Sequence, residues 1–391
     1  MRVRLLVAAG VIGLTVAGCS GTPSGEPPKE SASSSAPKPA LKPAVLTVSP
    51  AKDAKDVAPG EPVTVTVAGG KVGDVKLTGA DGKVVAGKPR ADGSGWDSAE
   101  PLGYNKSYKL TATATGADGK PVTTESAFST AKPARQLGVS VNLVEGETVG
   151  VGLPLIFTFT GNVADKAAAE KALKITAEPA TEGAFRWSGD KQVTWRPKDY
   201  WKSGTKIKVD AAVYGKPLGN GSYGREDKRV SGTVGDKLVA VADGGTHQMT
   251  VSVNDQVVKT MPTSMGKPGH NTPAGSYTVM SEHTGYTMDS GTYGVPEDAP
   301  GGYRTFVQYA IRLSYSGIFY HSAPWSVRQQ GRSNVSHGCL NLSTENTKWL
   351  MDTSKKGDIV TVQNSGGPKL EATDGWSVWQ LSWDEWRTAA N

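Results

Sequence analysis

The stretch "VAPGEPVTVTVAG" (Val57–Gly69) recurs without gaps as "VGVGLPLIFTFTG" (Val149–Gly161). Val, Gly, Pro, Thr and Gly coincide at 57/149, 60/152, 62/154, 66/158 and 69/161. Apolar side chains alternate at 63/155, 65/157 and 67/159, the period of a half-buried strand. A second echo follows in each copy: "PLGYNKSYKL" (Pro101–Leu110) parallels "PKDYWKSGTKI" (Pro197–Ile207) with one inserted residue. Two copies offset by about 92–96 residues, full of short alternating strands and Gly/Pro turns, predict two β-sandwich domains of immunoglobulin size. They are placed at 44–131 and 132–235. Neither contains a cysteine pair, so neither carries an inter-sheet disulfide.

A third, β-rich domain is expected over 236–363, making the chain mainly β. Runs "LVAVA", "MTVSV" and "QVVKTM" lead into "PTSMGKPGHNTPAGSYTV" (Pro262–Val279), which Gly and Pro punctuate. A Gly-rich excursion (Ser281–Gly302) precedes the alternating stretch "YRTFVQYAIRLSYSGIFYHS". Ser343 can cap a helix over "TENTKWLMDTS", with Glu345 favourable in its first turn. Lys355, Lys356 and Gly357 stop it before a last strand, "DIVTV". In the tail, 364–391, Trp376, Trp379, Trp383 and Trp386 recur at spacings of 3, 4 and 3, which predicts one stripe of a helix. Such a stripe reads first as a staple onto the rest of the protein. Sugar stacking and a membrane-interface anchor are the other readings.

The amino terminus reads "MRVRLLVAAGVIGLTVAGC". Arg2 and Arg4 precede an apolar run too short for a stable membrane span, and the run closes on Val16-Ala17-Gly18-Cys19. This is a signal peptide over 1–18, and the closing tetrad resembles a bacterial lipobox, which implies a lipidated Cys19 and a membrane anchor. An ordinary signal peptide cleaved nearby is the alternative. Residues 19–43 are Pro/Ser-rich with almost no large apolar side chain, a disordered tether able to reach about 70 Å when extended. Either leader places the mature chain outside the cytoplasm. Without Arg2 and Arg4, 41 of the 43 basic side chains remain against 37 acidic ones. They are scattered, so nucleic acid is not implied as a partner.

The chain has two cysteines. If Cys19 carries lipid, Cys339 stands alone in an oxidising compartment, either buried and inert or reactive. Its surroundings, "YHSAPWSVRQQGRSNVSHGCLNL" (Tyr320–Leu342), supply His321 and His337 as candidate bases. Gly338 allows a tight turn, and backbone N–H groups at 337–339 are candidate donors to an oxyanion. The polar neighbours Ser336, His337 and Asn341 argue against an inert core thiol. A zinc site built from His321, His337 and Cys339 lacks a fourth ligand, so no metal and no other cofactor is expected.

"SHGCLNL" (336–342), with "YHSAPW" (320–325) and "TPAGSY" (272–277), resembles the L,D-transpeptidase (YkuD) family over about 236–363. The lipobox, tether, paired Ig-like domains and Trp-rich tail resemble its multidomain lipoprotein class. The resemblance implies Cys339 as nucleophile, His321 as general base and acid, and the Ser322 carbonyl as the group orienting the imidazole. It implies an oxyanion hole from the amides of His337, Gly338 and Cys339, with Tyr303 contributing a hydroxyl nearby. Asn341 would hold substrate or loop, and His337 and Ser336 would shape the pocket. Met288, Tyr293 and Trp325 would line it under a mobile lid, bordered by Ser316 and Gly317. The implied reaction is acyl transfer from peptidoglycan tetrapeptide stems to a diamino-acid acceptor, releasing D-alanine and leaving 3→3 cross-links. Acylation by carbapenem β-lactams is implied as well. A wall endopeptidase of the NlpC/P60 kind would place its histidine after the cysteine, whereas here His321 precedes it. An L,D-carboxypeptidase, or a lipid-anchored wall-binding scaffold with an inactive third domain, remain as alternatives.

Overall fold

The structure is a computed structural model and describes residues 41–388. Cys19, the signal peptide and most of the 19–43 tether lie outside the described residues. Among the described residues no helix is long and apolar enough to cross a membrane.

The first unit pairs two four-stranded sheets. One is ordered Val45–Ser49, Thr64–Ala68, Gly95–Ser98, Gly87–Pro89; the other is Val84–Val85, Gly70–Gly79, Ser107–Gly116, Pro121–Ser129. Val63, Val65, Leu77, Trp96, Leu110 and Phe128 fill the space between them. The second unit repeats the plan with Val139–Val141, Leu155–Phe159, Gln192–Pro197 and Gly183–Ser188 against Glu147–Val149, Lys228–Val234, Lys206–Ala211 and Leu173–Glu178. The alternation read in the repeat is realised as burial in the first copy, with Val63, Val65 and Val67 enclosed; in the second, Leu155, Phe157 and Phe159 are enclosed and Thr158 exposed, but Ile156 is buried too.

The repeat also marks where each unit meets the next. A Cβ on Gly60 would overlap the Tyr214 carbonyl of the second unit, and one on its counterpart Gly152 would overlap Ile359 of the third. The paired tyrosines behave alike. Tyr104 donates to Gly224 O at 2.7 Å, and Tyr200 packs edge-on against Trp379 of the tail. At the second junction Gly150 N–H and Gly152 N–H donate to Lys356 O and Gly357 O, both at 2.8 Å. Lys356 is clamped by Glu147 at 2.6 Å.

The third unit stacks two sheets. The first is Gln256–Pro262, Gln248–Val253, Leu238–Asp243, Ile359–Gln363, Gly275–Thr278. The second is Ser281–Asp289, Arg304–Arg312, Phe319–Ser322, Leu340–Leu342. The helix forms over Thr344–Thr353, and Ser343 Oγ accepts the Asn346 N–H at 3.1 Å as its cap. Two expectations change here. Much of the Gly-rich excursion is a strand, Ser281–Asp289, laddered against Arg304–Arg312. Gly285, with φ at 69°, makes no pair of its own, yet the ladder keeps one register on either side of it, from Ser281 opposite Arg312 to Asp289 opposite Arg304.

The tail is not one helix. A 3-10 turn Val378–Gln380 and a short helix Trp383–Thr388 are separated by an extended Leu381. The staple itself is present. Arg196, 2% exposed, lies under the rings of Trp379, Trp383 and Trp386, and its guanidinium donates to Leu381 O and Ser382 O. Trp379 and Trp386 indoles donate to Gly152 O and Ala184 O at 2.8 and 2.9 Å. The chain breaks its helix because the tryptophans reach fixed backbone acceptors on the second unit, which a straight 3.6-residue repeat does not match.

Candidate active site

Strand Phe319–Ser322 is central to the site. It runs antiparallel to Arg304–Arg312, with Ala310 opposite His321, and parallel to Leu340–Leu342, with His321 opposite Asn341. Parallel neighbours need a long crossover, and residues 323–339 provide it. Cys339 therefore arrives one residue before the Tyr320–Leu340 pair. Alternation then puts His321, Asn341 and Cys339 on one face, while Tyr320, Leu340 and Leu342 enter the core behind them.

The turn that delivers the thiol is held from several sides. Gly338 has φ at 126°, and a Cβ there would press on Ile318 at 3.0 Å. Ser336 Oγ accepts the Gly338 N–H at 3.0 Å and donates to Cys339 O at 2.6 Å. Thr272 Oγ1 donates to Gly338 O at 2.7 Å, which explains why "TPAGSY" accompanies the cysteine motif. One expected oxyanion donor is thereby corrected: the Gly338 amide is occupied by Ser336. Among the described residues the amides of His337 and Cys339 have no protein acceptor.

Met288, Tyr303, Thr305, Val307, His321, Trp325, Val335, Ser336, His337, Cys339 and Asn341 together line a cavity of about 240 Å³. His321 is 5% and Cys339 7% exposed. Burial drives the imidazole down to about 4, partly offset by its bond to Ser322. It drives the thiol up to about 12, partly offset by a backbone bond from Phe319. Both groups are therefore neutral at rest. The Nδ1–H of His321 donates to Ser322 O at 3.1 Å. A carbonyl can only accept, so Nε2 is the unprotonated nitrogen. The thiol donates to Gly317 O at 3.4 Å rather than to the imidazole.

The other expected residues fall around this pair. Ser322 acts through its carbonyl, while its hydroxyl accepts the N–H groups of Gln308 and Tyr309. Burial holds the Tyr303 phenol far above its usual range, so it stays a donor. Trp325 is 56% exposed and stacks over His321 with centroids 6.0 Å apart. Asn341 donates to Ser326 Oγ at 3.0 Å, and its buried Oδ1 has no partner among the described residues. Ser316, Gly317 and Tyr293 do not line the cavity: they stand behind the thiol, with the Tyr293 ring 2.7 Å from where a Gly317 Cβ would lie.

Sequence reasoning missed Lys267 and His270. His337 meets His270 edge-on at 4.9 Å, and Lys267 Nζ donates to His337 Nε2 at 3.3 Å. Desolvation, then Lys267 and His270, lower the His337 pKa. A usable signal existed: the chain has five histidines, and three of them, His270, His321 and His337, gather at this cavity. A larger groove of about 530 Å³ beside Tyr200, Lys237 and Trp379 holds no histidine or cysteine. Among the described residues no cluster of His, Cys, Asp and Glu is arranged to hold a metal.

Against known proteins, residues 237–362 match the L,D-transpeptidase catalytic domain family, and residues 54–217 match a bacterial Ig domain family in one span. The chain is 46% identical to L,D-transpeptidase 2 of Mycobacterium tuberculosis, covering 88% of this chain and 84% of that protein. The chain belongs to the L,D-transpeptidase family. It is accordingly an acyltransferase, built from Ig-like and YkuD domains. L,D-transpeptidase 5 of the same species is 36% identical over 87% of this chain and 76% of its own. A solved LD transpeptidase in complex with imipenem is 39% identical, covers 59% of this chain and 99% of its own, and superposes with a TM-score of 0.51.

Proposed function

We propose that the protein is an extracytoplasmic peptidoglycan L,D-transpeptidase in which Cys339 carries the acyl group. The supporting observation is a buried thiol and a buried, neutral imidazole facing one cavity, with Nε2 left free by the Nδ1–H bond to Ser322. The thiol swings from Gly317 O to Nε2, which accepts its proton as sulfur attacks the carbonyl at the third residue of a tetrapeptide stem. The oxyanion is received by the amides of Cys339 and His337, with the Tyr303 hydroxyl beside them. His321 then protonates the departing D-alanine amine and leaves a thioester. The side-chain amine of a diamino acid on a second stem attacks it, His321 takes the amine's proton, and the thiol is regenerated. Because a neutral carbonyl replaces the acidic member of a usual triad, the imidazole is oriented without a compensating charge.

Met288 and Trp325 form the donor walls in this reading, and Asn341 offers its free Oδ1 to a stem amide. The two Ig-like domains, 44–131 and 132–235, act as a stalk, carried on the 19–43 tether from a lipid on Cys19. The relative solved with imipenem supports extending carbapenem acylation to Cys339. The test is intact-protein mass spectrometry after incubation with a carbapenem, beside a Cys339→Ala control. A single adduct lost in the control is expected; no adduct on folded protein would overturn the assignment.

A further inference from the structure

The C-terminal tail does more than dock on the second unit. Asp374 accepts two hydrogen bonds from Ser316, one from its N–H at 2.8 Å and one from its hydroxyl. Ser316 Oγ also meets Ser314 Oγ at 2.9 Å, and Ser314 Oγ accepts the Ile318 N–H at 3.0 Å. The tail thus ties both flanks of Gly317, the residue whose carbonyl holds the Cys339 thiol. Gly317 itself has φ at 93° and no room for a Cβ against Tyr293, so this carbonyl can be aimed only by its neighbours. The next tail residue, Gly375, lies equally close, with Leu313 O, Met280 Sδ and Ser314 Cα each 2.9 Å from its Cβ position. A few residues on, the tail is anchored by Trp379 to Gly152 O and by Arg196 to Leu381 O.

We propose that Asp374 is a positioning residue for the acyl-transfer site, setting the 314–317 loop so that the Gly317 carbonyl holds the Cys339 thiol in place at the cavity. It acts through Ser316 and Gly317 and touches no reacting atom. Through the tail it links thiol placement to the second Ig-like unit. This rests on Cys339 being the nucleophile, which the carbapenem adduct and its Cys339→Ala control decide separately.

The test compares wild type with Asp374→Ala, Asp374→Asn and Ser316→Ala in the full protein, using two probes. Carbapenem acylation needs the thiol correctly placed between the imidazole and the bound carbonyl, whereas iodoacetamide alkylation reports how readily the bare thiol ionises. Loss of the carbonyl acceptor destabilises the protonated thiol, so its ionisation moves to lower pH. Asp374→Ala should therefore acylate at least tenfold more slowly yet alkylate several-fold faster at pH 8. Asp374→Asn, which keeps an acceptor for the Ser316 N–H, should lie within about threefold of wild type on both. Ser316→Ala should show the same opposed changes in smaller measure, and it carries the test if Asp374→Ala does not fold. Both rates unchanged, or both falling together with the melting temperature, would overturn the proposal. Absence of a wild-type carbapenem adduct would instead sink the nucleophile assignment.

Discussion

Varying pH probes the resting site most directly. Burial places His321 at about 4 and Cys339 at about 12, so moving the proton between them crosses a gap of roughly eight pKa units, ~11 kcal/mol. Adjacent opposite charges recover only ~4 kcal/mol at an effective dielectric of 20. The neutral pair is therefore the resting form and the thiolate–imidazolium pair a minor one. Two rate profiles follow, each measurable by mass spectrometry of quenched samples. Acylation by a carbapenem, with neutral His321 taking the proton during attack, should be flat between about pH 5 and 9 and fall tenfold per unit below about 4. Alkylation by iodoacetamide consumes pre-formed thiolate and should rise about tenfold per unit from pH 7 to 10. The same depressed imidazole costs stability in acid. Unfolded His321 binds its proton near 6.5 and folded His321 only near 4, so ~3 kcal/mol is lost as pH falls through that window. An alkylation rate already on a plateau between pH 5 and 8 would mean a resting ion pair and would refute the reasoning.

Asp358, fully enclosed beside the second junction, is pushed up to about 7 by burial. Its folded carboxyl keeps a proton that the unfolded chain releases near 3.8, so stability should decline by ~4 kcal/mol as pH rises from about 4 to 7; Asp358→Asn should flatten that slope, and melting curves running parallel to wild type would reject it. Trp386→Ala removes a ring from Arg196 and its bond to Ala184 O. The tail should lose ~3–5 kcal/mol of docking and become open to limited proteolysis, whereas unchanged protection would count against the staple. Gly338→Ala places a side chain at φ 126° against Ile318; strain of ~1–3 kcal/mol predicts a roughly ten- to hundredfold loss of acylation, and a wild-type rate would show that the turn is not strained.

The parts legible in the sequence were those carried by local pattern. Alternation over Val63–Val67 is visible because burial on one face imposes period two, and Ser343 announces its helix because capping is a contact between near neighbours. The tail misled for the same reason: a spacing of 3, 4 and 3 satisfies a helix locally, but Trp379 and Trp386 answer to acceptors more than 200 residues away. The excursion at Ser281 hid a strand because Ser281–Asp289 is mostly polar and half-buried, with Met288 its one fully buried side chain, so no apolar alternation announces it.

The sequence by itself determined the class of chemistry: a lone thiol within "SHGC", a histidine eighteen residues before it, and a repeat with alternation enough for two β units. Only the tertiary structure decided the charge state of the pair, because burial, not neighbouring residue type, sets both pKa values. It also withdrew the Gly338 amide from the oxyanion set, since one hydroxyl orientation at Ser336 settles that bond. And it brought Asp374 to Ser316 across 58 residues, a contact made by the docked tail and written in no local spacing.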